Sequence, residues 1–507
     1  MRPRILIRSP LRRHHALYAR RFGSQPSSTQ KISLTLPAKV PKRVVVEELN
    51  RHLANSPGIS INTRGGKDPD SQHGAAIFAS RDFAPWLGDE NFVSALLETL
   101  FRSEANGQLN SKDINVLYAV TDGLTPKRLF GEPQAGFSIL CGSADTILPG
   151  LWDSNDYGSN VNQDREASVS FLSNPLPRDT RPLEITLPLA NTVFQNGRRS
   201  TLFATRWQED HNGTMACTLI QEKLAQRIRP GVNSADHTNP ILPLLPLTPP
   251  RKIVAGLGNI VRQVEVNGSA TPASKELEGL IPRVFDARSR RDHSYSPGPI
   301  GVWCWVLPPH VVEKQNLLDL EVFQAESSQS EAELTLKALS VFSKLISSGC
   351  RLHKILSGGG GWGLKQGLLS LDPETNYSPP DQDDVEMFIK AFQERNSPNP
   401  SEGLVTPGSY LMFCIEPYCT REEIGSSQQV GPATALGVAP NNDQELDPGH
   451  LPDRIDIVND HFGVVSKTGL FLKALPHISS INSTNKPAKQ SQAFTTKVDL
   501  PRASFLL

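Results

Sequence analysis

The chain has 507 residues, 38% hydrophobic and 21% charged, with 52 lysines and arginines against 52 acids. That length is enough for two or more domain-sized cores, and no run reaches the roughly 18 consecutive apolar residues of a membrane-spanning helix. The neutrality hides an asymmetry: residues 1–30 hold seven arginines and no lysine or acid, so the rest carries 45 basic residues against 52 acids, a net of −7. A mildly acidic body cannot draw on the counterion release that drives nucleic-acid binding, so nucleic acid is not an expected partner.

The first segment, residues 1–22, reads as a mitochondrial transit peptide. Arg2, Arg4, Arg8, Arg12, Arg13, Arg20 and Arg21 interleave with Leu6, Leu11, Leu17 and Tyr18, and Arg20-Arg21-Phe22 before Gly23 fits a matrix-processing cut. A basic arm for nucleic acid is the other reading of such a composition. The expected location is the mitochondrial matrix.

Residues 31–228 read as an N-terminal α+β domain. The strand "KISLTLP" is followed by the helix "VVVEELNRHLAN", the strand "AAIFAS", the helix "NFVSALLETLFRS" and the strand "INVLYAV". Strand, helix, strand within about 45 residues predicts a βαβ unit with parallel strands. Five strand-like runs follow: "GFSILCG", "ASVSFLS", "LEITLPL", "STLFATRW" and "TMACTLIQE". Asn196-Gly197 between the third and fourth is a hairpin signal.

Residues 229–250, "RPGVNSADHTNPILPLLPLTPP", are proline-dense and read as a linker. Residues 251–475 read as a second α+β domain: the helix-like "ASKELEGLIPRVF", the strand "IGVWCWVLP", and a helix opened by the capping box Ser330/Glu333 and stopped at Gly349. The helix "DVEMFIKAFQERN", the strand "SYLMFCIEP" and a hairpin-like "IDIVNDHFGVVSKTGLFL" complete it, and residues 476–507 form a polar tail. The expected fold class is α+β: two lobes, each a mixed, largely antiparallel sheet with flanking helices.

Three stretches draw attention as sites. In "LSGGGGWGLKQGLLSL" the glycines free backbone N–H groups to surround an anion. Gly358, Gly359, Gly360, Gly361, Gly363, Trp362 as a stacking face and Lys365 as a charge are the candidate ligand contacts. Leu364 stands where a P-loop has its lysine, and Gln366 follows Lys365 where Ser or Thr is needed. In "LPLANTVFQNGRRSTLFATRW", Asn196, Arg198 and Arg199, with Asn191, Thr192, Ser200, Thr201 and Arg206 around them, gather donors that can grip an anion bidentately. In "CGSADTILPGLWDSND", Asp145, Asp153 and Asp156 offer carboxylates and Trp152 an aromatic wall.

No catalytic residue is assigned, and neither a metal nor a cofactor is expected. The twelve histidines show no H-E-x-x-H arrangement, there is no G-x-S-x-G elbow, and the six cysteines form no C-x-x-C pair. Cys141, Cys217, Cys304 and Cys414 lie in apolar runs, which suits buried thiols in a reducing compartment.

Taken together, "AAIFASRDF", "INVLYAVTDGL" and "AGFSILCG", with the 187–207 and 356–374 blocks, resemble FIST-domain proteins of the fungal mitochondrial type over residues 45–475. The resemblance implies a small-ligand-binding, sensor-like role rather than catalysis. The 357–373 block departs from the glycine pattern of the bacterial members, so the family's ligand site does not transfer onto it. Two other readings remain open: an enzyme on a phosphate- or nucleotide-bearing substrate that uses the glycine loop, and an assembly or scaffold factor with a mitochondrial protein partner.

Overall fold

The computed structural model describes residues 29–55, 72–101, 113–125, 131–153, 166–173, 182–211, 213–231, 239–358, 367–377, 404–418, 433–440, 454–475 and 494–507. The fold is α+β, with mixed and largely antiparallel sheets flanked by helices. The glycine run from 359 to 366, the helix expected around 384–396 and the segment 1–28 lie outside the described residues.

The largest sheet of the N-terminal half has seven strands. Their spatial order is Asp456–Asn459, Gln30–Thr35, Gly136–Ser143, His73–Ser80, Asp113–Thr121, Leu202–Glu209 and Met215–Glu222. His73–Ser80 and Asp113–Thr121 run parallel, as the βαβ pattern predicts, with Ala76 opposite Leu117. The crossover helix Glu90–Phe101 buries Phe92, Leu96, Leu97, Leu100 and Phe101 against one face. Period-two alternation then divides each strand between two cores. Ala75, Ile77 and Ala79 meet the helices, and Ala76 and Phe78 point into a central core shared with the rest of the molecule.

That central core is where three sheets meet. Phe78 of the first sheet, Phe171 of a five-stranded sheet and Phe462 of a four-stranded sheet form an aromatic triad with centroids 5.3–6.1 Å apart. Each ring is fully buried, and burying such a side chain contributes about 1.5–3 kcal/mol relative to exposing it.

The C-terminal half contains a closed antiparallel barrel. Its strands follow one another as Tyr410–Ile415, Arg251–Leu257, Ile260–Val266, Leu369–Leu371, Arg351–Gly358 and Val302–Leu307, and the last pairs with the first. Alternation along Val302–Leu307 sends Cys304 and Val306 into the barrel core, and Trp303, Trp305 and Leu307 out into the central core. Trp305 stacks on Phe342 of helix Glu331–Ser347, centroids 5.6 Å apart. That helix begins as the capping box predicts, Ser330 Oγ accepting from Glu333 N at 3.1 Å.

Four expectations change. The proline-dense linker is interior where it is described: Leu242, Leu244 and Leu245 are fully buried, Asn239–Ile241 and Leu245–Pro246 are strands, and its leucines outweigh its prolines. The polar tail also enters the core, since Thr495–Val498 and Ser504–Leu506 are strands and Phe505 is fully buried. The hairpin-like 455–472 stretch is three strands in three different sheets, Asp456–Asn459, His461–Ser466 and Leu470–Ala474. Finally, Asn196-Gly197 turns no hairpin. Gly197, φ 76°, closes the one-turn helix Val193–Asn196, and the chain passes from the five-stranded sheet to the seven-stranded one. A left-handed turn residue serves either geometry.

Candidate functional site

The glycine run joins two antiparallel neighbours of the barrel, with Gly358 opposite Leu369. Gly359, Gly360, Gly361, Trp362, Gly363 and Lys365 lie outside the described residues. Residues 367–377, on the far side of the run, are strand and loop rather than helix. Phosphate cradles of the P-loop and dinucleotide kinds set their glycines before a helix N-terminus, whose N–H groups and dipole favour the anion. At the root of the run, Lys354 lies over the Trp303 ring at 5.7 Å, and Trp303 Nε1 donates to Asp499 Oδ1 at 2.9 Å.

The turn in the second stretch is braced by its own hydrogen bonds. Asn196 Nδ2 donates to Thr201 Oγ1 at 2.8 Å, and its Oδ1 accepts from Arg198 N at 3.2 Å. Thr192 Oγ1 donates to Arg198 O at 2.9 Å. Arg198 Nη1 reaches Glu222 Oε2 at 3.0 Å while its guanidinium covers Phe203 at 4.7 Å, and Arg199 Nε lies 3.5 Å from Glu166 Oε1. Both arginines therefore spend their charge on carboxylates of this chain, and Asn196 shapes the turn.

Arg206, a few residues on, is different. It sits half-buried on the penultimate strand of the seven-stranded sheet, on the face opposite the helices. Its Nε donates to Asn115 Oδ1 at 3.4 Å, and its guanidinium lies 5.0 Å from the centre of the Trp152 ring. Asn115 is the fixed point. It is 1% exposed, accepts from Trp152 Nε1 at 2.9 Å and donates to Gln72 Oε1 at 2.7 Å. Among the described residues, no carboxylate pairs with Arg206.

The sequence folds this way because the row of residues beside Arg206 is cleared. Asn115 neighbours Gly74, which neighbours Gly142. A Cβ on Gly74 would meet Ala144 Cα at 2.7 Å, so only glycine lets the 144–152 segment lie directly on the sheet and carry Trp152 over Arg206. Lys223 fastens the same segment by donating to Leu151 O. Burial holds the Lys223 ammonium below its usual range, and the charge of Asp153 opposes that shift.

The structure thus brings together residues from two of the three candidate stretches, Trp152 and Arg206, and adds Asn115 and Lys223. The missed signal for Asn115 is a polar amide in the otherwise apolar strand "INVLYAV". Asp145 lies in the short helix Ala144–Ile147, and Asp156 lies outside the described residues. His353 is a residue of strand Arg351–Gly358: it is buried, with Nδ1 2.9 Å from Asp372 O, and burial lowers its pKa. The Cys141 thiol is pushed up to about 12 by burial, and Cys304 and Cys414 are raised for the same reason. Cys217 is only half-buried, on the edge strand. Among the described residues, no three His, Cys, Asp or Glu side chains converge to hold a metal ion, and no helix is long and apolar enough to cross a membrane.

A second polar cluster lies between sheets. Ser33 Oγ is 2.9 Å from both Ser138 Oγ and His461 Nδ1, and Ser138 Oγ donates to Gly463 O at 2.8 Å. Beside it, burial lowers Lys31 to about 8, against the opposing charge of Asp460. All four side chains are buried, so this cluster fastens sheets rather than meeting a solute. No family model, curated protein or solved structure matches the chain.

Proposed function

We propose that this protein is a small-anion-binding, sensor-like protein of the FIST type, working in the mitochondrial matrix without chemistry of its own. One observation carries the binding reading: Arg206 presents a guanidinium with no carboxylate partner among the described residues, oriented by a buried amide and stacked on Trp152. A guanidinium fixed in this way offers parallel N–H donors at little cost in side-chain entropy, which is how carboxylates and phosphates are recognised bidentately. Arg198 and Arg199 show the alternative, charge already matched within the chain.

The test is calorimetric titration with acetate and with inorganic phosphate. Saturable binding of either anion, abolished in Arg206→Gln with an unchanged thermal midpoint, is the expected result. Binding of neither by the wild-type chain, or equal binding by the variant, overturns the reading.

A further inference from the structure

The charge count and the neighbours of Arg206 narrow the ligand. Among the described residues, the site supplies one positive charge, that of Arg206, with no carboxylate paired to it. Lys223, which fastens the 144–152 segment, already donates to Leu151 O and feels the charge of Asp153, so that pair adds no net charge. A ligand with one negative charge balances Arg206. A phosphate monoester, which carries closer to two at neutral pH, leaves a charge unmatched beside Asp153.

The edge strand supplies the second constraint. Leu219 stands directly opposite Arg206 in the antiparallel ladder, and cross-strand partners share a face of the sheet. Leu219 is 44% exposed and its strand is the last of its sheet. The strand bulges at this point, where Arg206 pairs with Leu219 and Trp207 with Cys217. A bulge of this kind re-aims side chains locally. One strand out from Arg206, on the same face, there is thus an exposed apolar side chain.

Resting on the anion-binding reading above, we infer that the ligand of this site is a monocarboxylate bearing an apolar chain, its carboxylate on Arg206 and its chain along Leu219. The Trp152 face is occupied by the guanidinium, so the apolar chain runs toward the edge strand and not across the indole.

The experiment titrates the full chain with acetate, butanoate, hexanoate and inorganic phosphate. The dissociation constant is expected to fall about two- to fourfold per methylene, the upper figure being that of a fully buried CH2 group, with phosphate weaker than any of the carboxylates. Leu219→Thr, which keeps a good strand former at the edge, should flatten the chain-length dependence, weakening hexanoate more than acetate. Phosphate binding as tightly as hexanoate, or the same chain-length dependence in wild type and Leu219→Thr, overturns this inference while leaving anion binding standing. Binding of none of the four overturns both.

Discussion

Three arginines of this molecule, Arg198, Arg206 and Arg288, lie over aromatic rings, and among the described residues Arg198 and Arg288 have a carboxylate partner while Arg206 has none. Arg288 is buried, with Nε and Nη2 each 2.8 Å from an oxygen of Glu331, between helices Lys275–Arg291 and Glu331–Ser347. It lies 5.6 Å from the Tyr418 ring and 6.0 Å from Tyr295, and donates to Glu416 O at 2.9 Å. Tyr418 N in turn donates to Glu331 Oε2 at 2.7 Å. Arg206 has an aromatic neighbour too, Trp152, but a neutral amide where Arg288 has a carboxylate. The first arrangement completes itself and holds helices together; the second leaves donors over. Stacking on a ring therefore says little about role, and the counter-charge decides it.

Breaking the closed arrangement has the largest expected effect. Glu331→Ala leaves the Arg288 charge buried without a partner, which costs about 3–5 kcal/mol. A urea titration should show a correspondingly lower midpoint; a loss below about 1 kcal/mol would show that water already screens the pair. Asn115→Ala tests the open arrangement. It removes the acceptor for Trp152 Nε1 and the guide for Arg206, and should cost about 1–3 kcal/mol while weakening anion binding further than stability alone explains. An unchanged anion affinity in Asn115→Ala would show that Arg206 needs no guide. Arg198→Ala, at a half-exposed pair with Glu222, sharpens the contrast from the other side: about 0–1 kcal/mol of stability and no change in anion affinity, measured by the same two methods.

Local features of this chain were readable and distant ones were not. Runs such as "AAIFAS" and "INVLYAV" announce buried strands because both faces must be apolar, and Ser330 with Glu333 announces a helix start because the cap is a contact between neighbours. Nothing local distinguishes the sheet that takes Asp456–Asn459 from the sheet that takes Leu470–Ala474, since strand pairing is settled by packing across hundreds of residues. The prolines of 239–250 mask a core segment for a related reason. Proline removes one donor per residue but leaves its leucine neighbours free to pack, and Pro240 sits in a three-residue strand opposite Phe505. At the site, Trp152 and Arg206 each carry a visible chemistry. Their meeting depends on Gly74 and Gly142 clearing the sheet, which only the assembled strands reveal.

The bond from Ser33 Oγ to His461 O spans 428 positions, and strand Gln30–Thr35 lies between Asp456–Asn459 and Gly136–Ser143. A ribosome releasing about 5–20 residues per second therefore holds this strand unmatched on one edge for tens of seconds before its partner exists. Throughout that interval the exposed edge is a template for the wrong chain. This protein should depend on chaperone holding during synthesis, and should refold more slowly from denaturant than a helical protein of equal length.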